Sequence, residues 1–403
     1  MNPTPPDARP VVRLRPKARA AAALRAGFPW VYSDELVLDR RSRALAPGTL
    51  AVLQDSERRP LGLVTVNPAS QIVARLLDAD PGAQVDADWL SARLQRALAL
   101  RERLYPEPFY RLIHAEADGL PGVIIDRFGT AAVIQPNAAW AEAHLPALAK
   151  ALAAVTGVTT IVKNSAGRAR VREGLDDAGG LLCGALDGPV PVPMNGATYF
   201  ADLTGGQKTG LYFDQRDNHA FAARLARGGR VLDVFAHVGG FALAALAGGA
   251  AQALAVDGSV PALALAERGA QAGGVADSFA TRCADAFEAM AALGTEGARF
   301  DLVVCDPPAF APAKPALEAG LRAYARVARL AAGLVAPGGF LVLCSCSHAA
   351  DLARFREASL QGIARAGRSG QIVHVGGAGP DHPLHPHLAE SGYLKALFLR
   401  LDG

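Results

Sequence analysis

The chain reads as an α/β protein of more than one domain, ending in a doubly wound, mostly parallel sheet. Two observations predict this. From about residue 194 onward, apolar β-type runs alternate regularly with helical stretches, the pattern of strand–helix–strand crossovers. Before residue 83 the pattern is instead a series of short strands broken by turn residues. Length agrees, since 403 residues exceed one ordinary core and call for two or three domains. The expected division is a β-rich module over 9–82, a central α/β unit over 83–193 and the doubly wound unit over 194–403.

Residues 1–8 are Pro-rich and are expected to be disordered. In the first module, Leu50–Leu53, Leu61–Val66 and Gln71–Leu76 are β-type runs, punctuated by Pro47-Gly48 and Asn67-Pro68. Pro81-Gly82 marks a boundary. Trp89–Leu100 then carries a helical apolar period. Strands are expected at Gly122–Asp126, Ala131–Gln135 and Thr159–Lys163, with a helix near 141–155. In the third unit the expected strands are Arg230–Phe235, Gln252–Asp257, Asp301–Cys305 and Gly339–Cys344, with a weaker one at Ser278–Thr281. Helices are expected near 240–248, 260–272, 317–333 and 351–365. Gln371–Val375 and Tyr393–Leu399 are expected to form an antiparallel edge.

Composition narrows the function classes. A chain that is 51% hydrophobic and 20% charged is globular rather than disordered. The net charge of +3 excludes a polycation, yet Arg9, Arg13, Arg15, Lys17, Arg19 and Arg25 fall in one stretch without an acid, a candidate phosphate-facing patch. The five cysteines form no CxxC pair and fit no zinc spacing, so no metal is expected and reduced thiols in a cytoplasmic protein are. There is no apolar signal core and no uncharged span of about 20 residues, so no membrane association is expected. The high apolar content leaves room for a homodimer.

The chemistry gathers where strands end. Asp301–Cys305 runs into Asp306-Pro307-Pro308-Ala309-Phe310, and Gly339–Cys344 runs into Ser345-Cys346-Ser347. In an open α/β sheet, ligands bind at that carboxyl edge. A further strand ends Asp233-Val-Phe235-Ala-His237-Val-Gly239-Gly240-Phe241, an acid followed by a glycine turn that lets backbone approach a ligand. The spacing is not GxGxxG, which excludes the dinucleotide fingerprint. Asp257 closes the next strand, suited to ribose hydroxyls, and Asp285 follows the third, suited to a base. Each acid alone is more often a helix cap. In order on successive strands they suit S-adenosylmethionine (SAM). Upstream, Gly205–Arg216 is dense in polar and aromatic groups, and Asp214 is either a helix cap or part of a cover over that cofactor.

Gln207-Lys-Thr-Gly with Phe213-Asp-Gln-Arg, the Gly-Gly-Phe turn, Asp306-Pro-Pro-Ala-Phe and Ser345-Cys-Ser together resemble the bacterial large-subunit ribosomal RNA 5-methylcytosine methyltransferases. Phe28-Pro-Trp30-Val-Tyr-Ser33 and Asn67-Pro-Ala-Ser-Gln71 resemble that family's PUA module. Asp118–Phe128 resembles its central domain, and Tyr393-Leu-Lys395 its C-terminal strand. The resemblance implies a PUA-like RNA-binding domain, a central α/β domain and a class I, Rossmann-like methyltransferase domain, with ribosomal RNA as partner. It implies that Lys208, Thr209, Gly210, Phe213, Asp214, Gln215, Arg216, Asp233, Phe235, Gly239, Gly240, Asp257 and Asp285 hold SAM. It implies further that Asp306, Pro307, Pro308 and Phe310 line the base pocket, that Cys346 is the nucleophile, and that Arg13, Arg15, Lys17 and Arg19 meet RNA phosphates. The chain departs from the family at His237-Val238, where Tyr-Thr is common.

Chemistry supports the assignment of Cys346. Cytosine C5 is a poor nucleophile, and a thiolate adding at C6 converts the ring into an enamine-like species that can take a methyl group. Asp306 is placed to hydrogen-bond ring N3 and N4. Cys305 is expected to point away from the site, and Cys344 to serve the core. Three alternatives stay open: another base (guanine or an amino group) on the same scaffold, a DNA target, and a non-catalytic RNA-binding assembly factor.

Overall fold

The computed structural model describes residues 9–16, 18–205 and 210–402. The expectation for residues 1–8 and the roles given to Lys17, Lys208 and Thr209 lie outside that range. The described chain divides into two compact units, one of residues 9–187 with 381–391 and one of 188–205, 210–380 and 392–402.

The first unit holds two five-stranded sheets. One runs in the order Val11–Arg13, Thr49–Gln54, Pro60–Val66, Ile72–Asp78, Trp30–Tyr32. Its three long strands are those expected, while the flanking three-residue strands are too short to show an alternation. The second sheet runs Gly180–Cys183, Thr160–Lys163, Ala131–Pro136, Val123–Phe128, Phe109–His114. Helices Ala87–Leu104 and Leu145–Thr156 bury Trp89, Leu90, Leu94, Leu148 and Leu152 in one core with it. Trp140 is fully buried there and donates its ring N–H to Pro121 O at 2.8 Å.

Buried polar networks account for several sequence motifs of this unit. Glu173 accepts from Asn67 and Ser70 at 3.0 Å and from Arg75 at 3.1 Å. Glu116 accepts from Trp30 at 2.8 Å and Arg75 at 3.0 Å. Asp118 takes a two-pronged bond from Arg101 at 2.7 and 2.8 Å, and Asp126 one from Arg111 at 2.6 and 3.0 Å. Asp381 completes this cluster: its carbonyl accepts from Arg101 and its carboxylate from the Arg111 backbone N–H.

The second unit carries the doubly wound sheet. Its seven strands run Phe279–Cys283, Gln252–Asp257, Arg230–Val234, Phe300–Cys305, Val335–Ser345, Lys395–Leu401, Gly370–Gly376. The first five are parallel neighbours. The order reverses at Arg230–Val234, whose neighbours on either side come later in the chain, and a crevice opens at the carboxyl ends of such a switch point. The expected strands are all present. The expected antiparallel edge needs one correction: Lys395–Leu401 lies inside the sheet, antiparallel to Val335–Ser345 on one side and Gly370–Gly376 on the other. Only Gly370–Gly376 forms the edge. Burial gives the reason, since Lys395–Leu401 is buried at every position but Arg400, whereas Gly370–Gly376 is mostly exposed.

Local signals fix the helices. Ser259 accepts from Ala262 N and starts Val260–Ala272, with Pro261 in the first turn; Asp351 accepts from Arg354 N and starts Leu352–Arg365. Two helices of the second unit had no assigned span in the sequence: Arg216–Leu225 and Ala286–Thr295. Among the described residues, no helix is long and apolar enough to cross a membrane.

Candidate active site

The loop after Arg230–Val234 is bent hard. Phe235 and His237 have φ of 64° and 50°, left-handed values that non-glycine residues rarely adopt, and Gly239 has φ 78°. The bend is held from outside. The backbone N–H of Ala236 donates to Val256 O at 3.0 Å and that of His237 to Asp257 Oδ2 at 2.8 Å. Asp257 Oδ1 also accepts from Ser259 N at 2.8 Å. A carboxylate oxygen has two lone pairs, so this loop work leaves Asp257 with acceptor capacity for a ligand. A Cβ at Gly240 would lie 2.7 Å from the His219 ring, so only glycine fits there.

Asp233 is buried at 1% exposure beneath this loop. Its Oδ2 accepts from Ala242 N at 2.9 Å, while Oδ1 has no hydrogen-bond partner among the described residues. Burial, then the nearby charges of Asp306 and Asp257, push its carboxyl up to about 7, against the pull of the helix N–H groups. An acceptor left orphaned at the switch point fits a site for a polar, cationic ligand. Asp285, on the third strand's exit, is exposed and caps Ala286–Thr295 through Oδ1, to Phe287 N and Glu288 N.

Tyr212 shows that the separate clusters converge. Its hydroxyl is pushed up to about 12 by burial, then by the negative charges of Asp214, Cys346 and Asp306. Three distant stretches thus meet around one phenol, and its ring sits 5.3 Å from the His237 ring. Asp214 is not the cap of Arg216–Leu225, a position held by Gln215. It accepts instead from the Tyr393 hydroxyl at 2.6 Å. Gln215 is buried, accepts from Asn218 at 2.6 Å and hydrogen-bonds Cys344. Phe213 is buried with Arg216 over its ring. Gly210 has φ 86°, and a Cβ there would meet Asp202 O at 2.6 Å.

The cysteines separate by environment. Cys305 is fully buried beside the Met290 sulfur, and burial pushes its thiol far up. Cys344 is buried in the core and likewise pushed up. Cys346, just past the strand end, is only half-buried. Both flanking serines turn inward and are fully buried. Ser345 Oγ donates to the Tyr324 hydroxyl at 2.9 Å, Ser347 Oγ lies 2.7 Å from it, and Ala311 N donates to Ser347 Oγ at 2.9 Å. Lys395 donates to Ser347 O at 2.7 Å and Ala350 O at 2.8 Å. The tripeptide is therefore locked through its serines, with the central thiol near enough to Tyr212 and Tyr324 to act on both phenols.

Asp306 is half-buried, and its backbone N–H donates to Val234 O at 3.3 Å. Pro307 is buried and Pro308 exposed. Phe310 is half-buried in an aromatic row, 5.0 Å from Tyr324, 6.3 Å from Phe287 and 6.4 Å from Phe235. Sequence reasoning missed Tyr212, Tyr324 and Lys395 as parts of this site. Signals existed for two of them, since Tyr212 stands inside the polar segment already singled out and Lys395 inside the Tyr393-Leu-Lys395 motif.

The described basic residues of the first unit differ in their surroundings. Arg9 is buried on Pro81 O and Gln84, Arg25 pairs with Asp55 at 2.7 Å, and Arg15 donates through Nε to Leu36 O. Arg13 is half-buried. Arg19 is exposed at a concavity of about 580 Å³ shared with Phe28, Tyr32 and Gln71. Among the described residues, no three His, Cys, Asp or Glu gather as a metal site.

Comparison with known proteins identifies related chains. The family described as S-adenosylmethionine-dependent methyltransferase matches residues 115–400, and a PUA-like domain matches residues 12–79. A ribosomal RNA large subunit methyltransferase of Deinococcus radiodurans is 36% identical over 99% of both chains. A ribosomal RNA large subunit methyltransferase I of Cronobacter sakazakii is 35% identical over 94% of this chain and 96% of its own. Among solved structures, a Streptococcus mutans protein described as a SAM-dependent methyltransferase shares the fold, with a TM-score of 0.81 at 17% identity over 97% of this chain and 100% of its own.

Proposed function

This chain belongs to the S-adenosylmethionine-dependent methyltransferases, within the family of the large-subunit ribosomal RNA enzymes it matches, and on that footing we propose that it forms 5-methylcytosine in large-subunit ribosomal RNA through a covalent Cys346 adduct. One observation carries the reading. A half-buried thiol stands at the carboxyl edge of the sheet, fixed by two inward-turned serines, in the electrostatic company of Asp306 and Tyr212.

When bound, SAM supplies an electrophilic methyl group. Asp233, the strained Phe235–Gly240 turn, Asp257 and Asp285 would hold it, with Gly210–Arg216 alongside. The protein's part in the reaction is then to bind and to move charge. The Cys346 sulfur forms a bond to C6 of the target cytosine, and the C5=C6 electron pair becomes available at C5 for the methyl group. Asp306 hydrogen-bonds the ring at N3 and N4 and stabilises the adduct. Loss of the C5 proton to a base then expels the sulfur and restores the double bond. A base must leave its stack to reach such a site, and Phe310 with its aromatic neighbours offers a stacking surface. Arg13, Arg15 and Arg19 of the PUA-like domain would contact RNA phosphates.

The test is transfer of labelled methyl from SAM to unmodified large-subunit rRNA, with the product nucleoside identified by mass spectrometry. Five-methylcytidine made by the wild type and not by Cys346→Ala is the expected result. The Asp306-Pro-Pro-Ala-Phe310 loop favours a second reading, methylation of an amino group, which needs no thiol. Activity surviving in Cys346→Ala would select it.

A further inference from the structure

We propose that Lys395 is a positioning residue for Cys346: its ammonium clamps the turn that presents the thiol and provides the positive charge that lets the thiol stand as thiolate. The proposal rests on reading Cys346 as the nucleophile.

Three observations carry it. The first is register. Lys395 begins the antiparallel strand Lys395–Leu401 directly opposite Ser345, so its side chain is delivered beside the end of Val335–Ser345. The second is the clamp. Its Nζ donates to the carbonyls of Ser347 and Ala350, at 2.7 and 2.8 Å, and so ties down the chain that leaves Cys346. The third is its charge. Lys395 is 8% exposed and makes no ion pair among the described residues. A buried ammonium is unfavourable unless an anion stands near it, and two carbonyls satisfy two of its three N–H groups without neutralising it. The nearest acid in sequence to the clamped turn, Asp351, is 65% exposed and caps the helix that follows. Two groups favour its charged form, Cys346 and the exposed Asp351, and Cys346 acts the more strongly.

The surroundings of the thiol agree. The titratable groups around Cys346 include Tyr212, Tyr324 and Lys395, with Asp306 and Asp214 beside Tyr212, and His348 two residues on, its ring 5.7 Å from that of Tyr393. The two acids oppose a thiolate, the phenols are neutral, and the Lys395 ammonium favours it. Burial pulls the lysine's own pKa down, and Cys346, then Asp351, oppose this. At pH 7 an ordinary thiol is a few per cent ionised, so each unit taken off its pKa gives about tenfold more thiolate. The thiol proton leaves to water, the sulfur lone pair forms the S–C6 bond, and the same pair returns to sulfur when that bond breaks. Lys395 keeps its proton throughout and stabilises sulfur before attack and after release.

The experiment is alkylation of the full-length protein by iodoacetamide across pH, without RNA or SAM, with the Cys346 peptide quantified by mass spectrometry. In the wild type, Cys346 is expected to react with an apparent pKa below those of the exposed Cys183 and Cys283. In Lys395→Gln, which keeps a hydrogen-bond donor but loses the charge, its rate at pH 7 is expected to fall about tenfold while the high-pH plateau stays put. Lys395→Arg is expected to restore most of the rate. A Lys395→Gln protein that melts normally and keeps the wild-type profile would overturn the proposal. So would a wild-type Cys346 that titrates no lower than the two exposed cysteines, a measurement that needs no variant. Methyl transfer by Cys346→Ala would remove the nucleophile reading alone, since alkylation reads the Lys395–Cys346 coupling independently.

Discussion

The Tyr393 hydroxyl donates to Asp214 Oδ2 at 2.6 Å, joining the approach to the last sheet strand to the segment that precedes Arg216–Leu225. The Asp214 carbonyl accepts from Gly379 N at 3.0 Å as well, so the segment is tied at two points. Tyr393→Phe removes one tie. A hydrogen bond to a charged group contributes about 1.5–3 kcal/mol when its partner is left without a substitute, less where water can reach, as it can here. SAM affinity, measured by calorimetry, is expected to weaken several-fold with little change in kcat. Unchanged affinity would mean that the segment does not bear on the cofactor.

Tyr324 is the hub for both serines around Cys346. Tyr324→Phe leaves two buried hydroxyls short of a partner, with an expected cost of about 1–3 kcal/mol. Denaturant unfolding should show that loss, and methyl transfer should fall by more than the loss of folded protein explains. A stability change with unaltered specific activity would mean that the turn holds its shape without the phenol.

Asp233 makes stability depend on pH in a defined direction. Its carboxyl is raised by burial to about 7, above its value in an unfolded chain. The native state therefore holds a proton that the unfolded state has lost between about pH 4 and pH 7, and ligand-free stability falls as pH rises through that window. Asp233→Asn is expected to flatten this slope and to weaken SAM binding at pH 8. A wild-type unfolding free energy that is constant from pH 5 to pH 8 would contradict the assignment.

Neutralising Arg13, Arg15 and Arg19 together should weaken RNA binding and reduce its salt dependence. If all three meet phosphates of single-stranded RNA, the log–log slope drops by about 2. An unchanged slope would leave these arginines to their structural contacts, such as the bond from Arg15 to Leu36 O.

Asp381→Ala is expected to destabilise the first unit by about 3–5 kcal/mol, the range for breaking a buried charged network. Its carboxylate accepts from Arg111 N and lies 2.9 Å from the His382 ring nitrogen, and both residues are buried. A loss under 1 kcal/mol by denaturant unfolding would show that water replaces these bonds.

The parts legible in the sequence were those with a strong local period. Gln252–Asp257 and Val260–Ala272 appear where their apolar runs and cap residues place them, because propensity and burial agree there. Ala286–Thr295 was missed although Asp285 caps it, since that acid had been read as a ligand for a base. Val11–Arg13 and Trp30–Tyr32 were too short to carry a period. The reactive ends of two strands were legible because Asp306 and Cys346 stand where apolar runs stop. The roles of Lys395 and Tyr324 were not, although Lys395 stands in the Tyr393-Leu-Lys395 motif, since those roles arise from sheet register and helix packing. Arg9 and Arg25 were read as part of one basic face, but the fold supplies partners distant in sequence, Pro81 O with Gln84 for one and Asp55 for the other.

Residues 381–391 belong to the first unit although most of the second precedes them in the chain. Arg101 bonds the carbonyl of Asp381, 280 positions later. During synthesis from the N-terminus, the unit begun first is thus the one that waits longest for its last piece. Until that piece emerges, Arg101 and Arg111 lack a partner they hold in the finished protein. The second unit has its parallel strands available earlier, yet it too closes late, on Lys395–Leu401. A ribosome stalled before residue 381 would therefore carry neither unit complete, and no single cut in the chain can release one unit intact from the other.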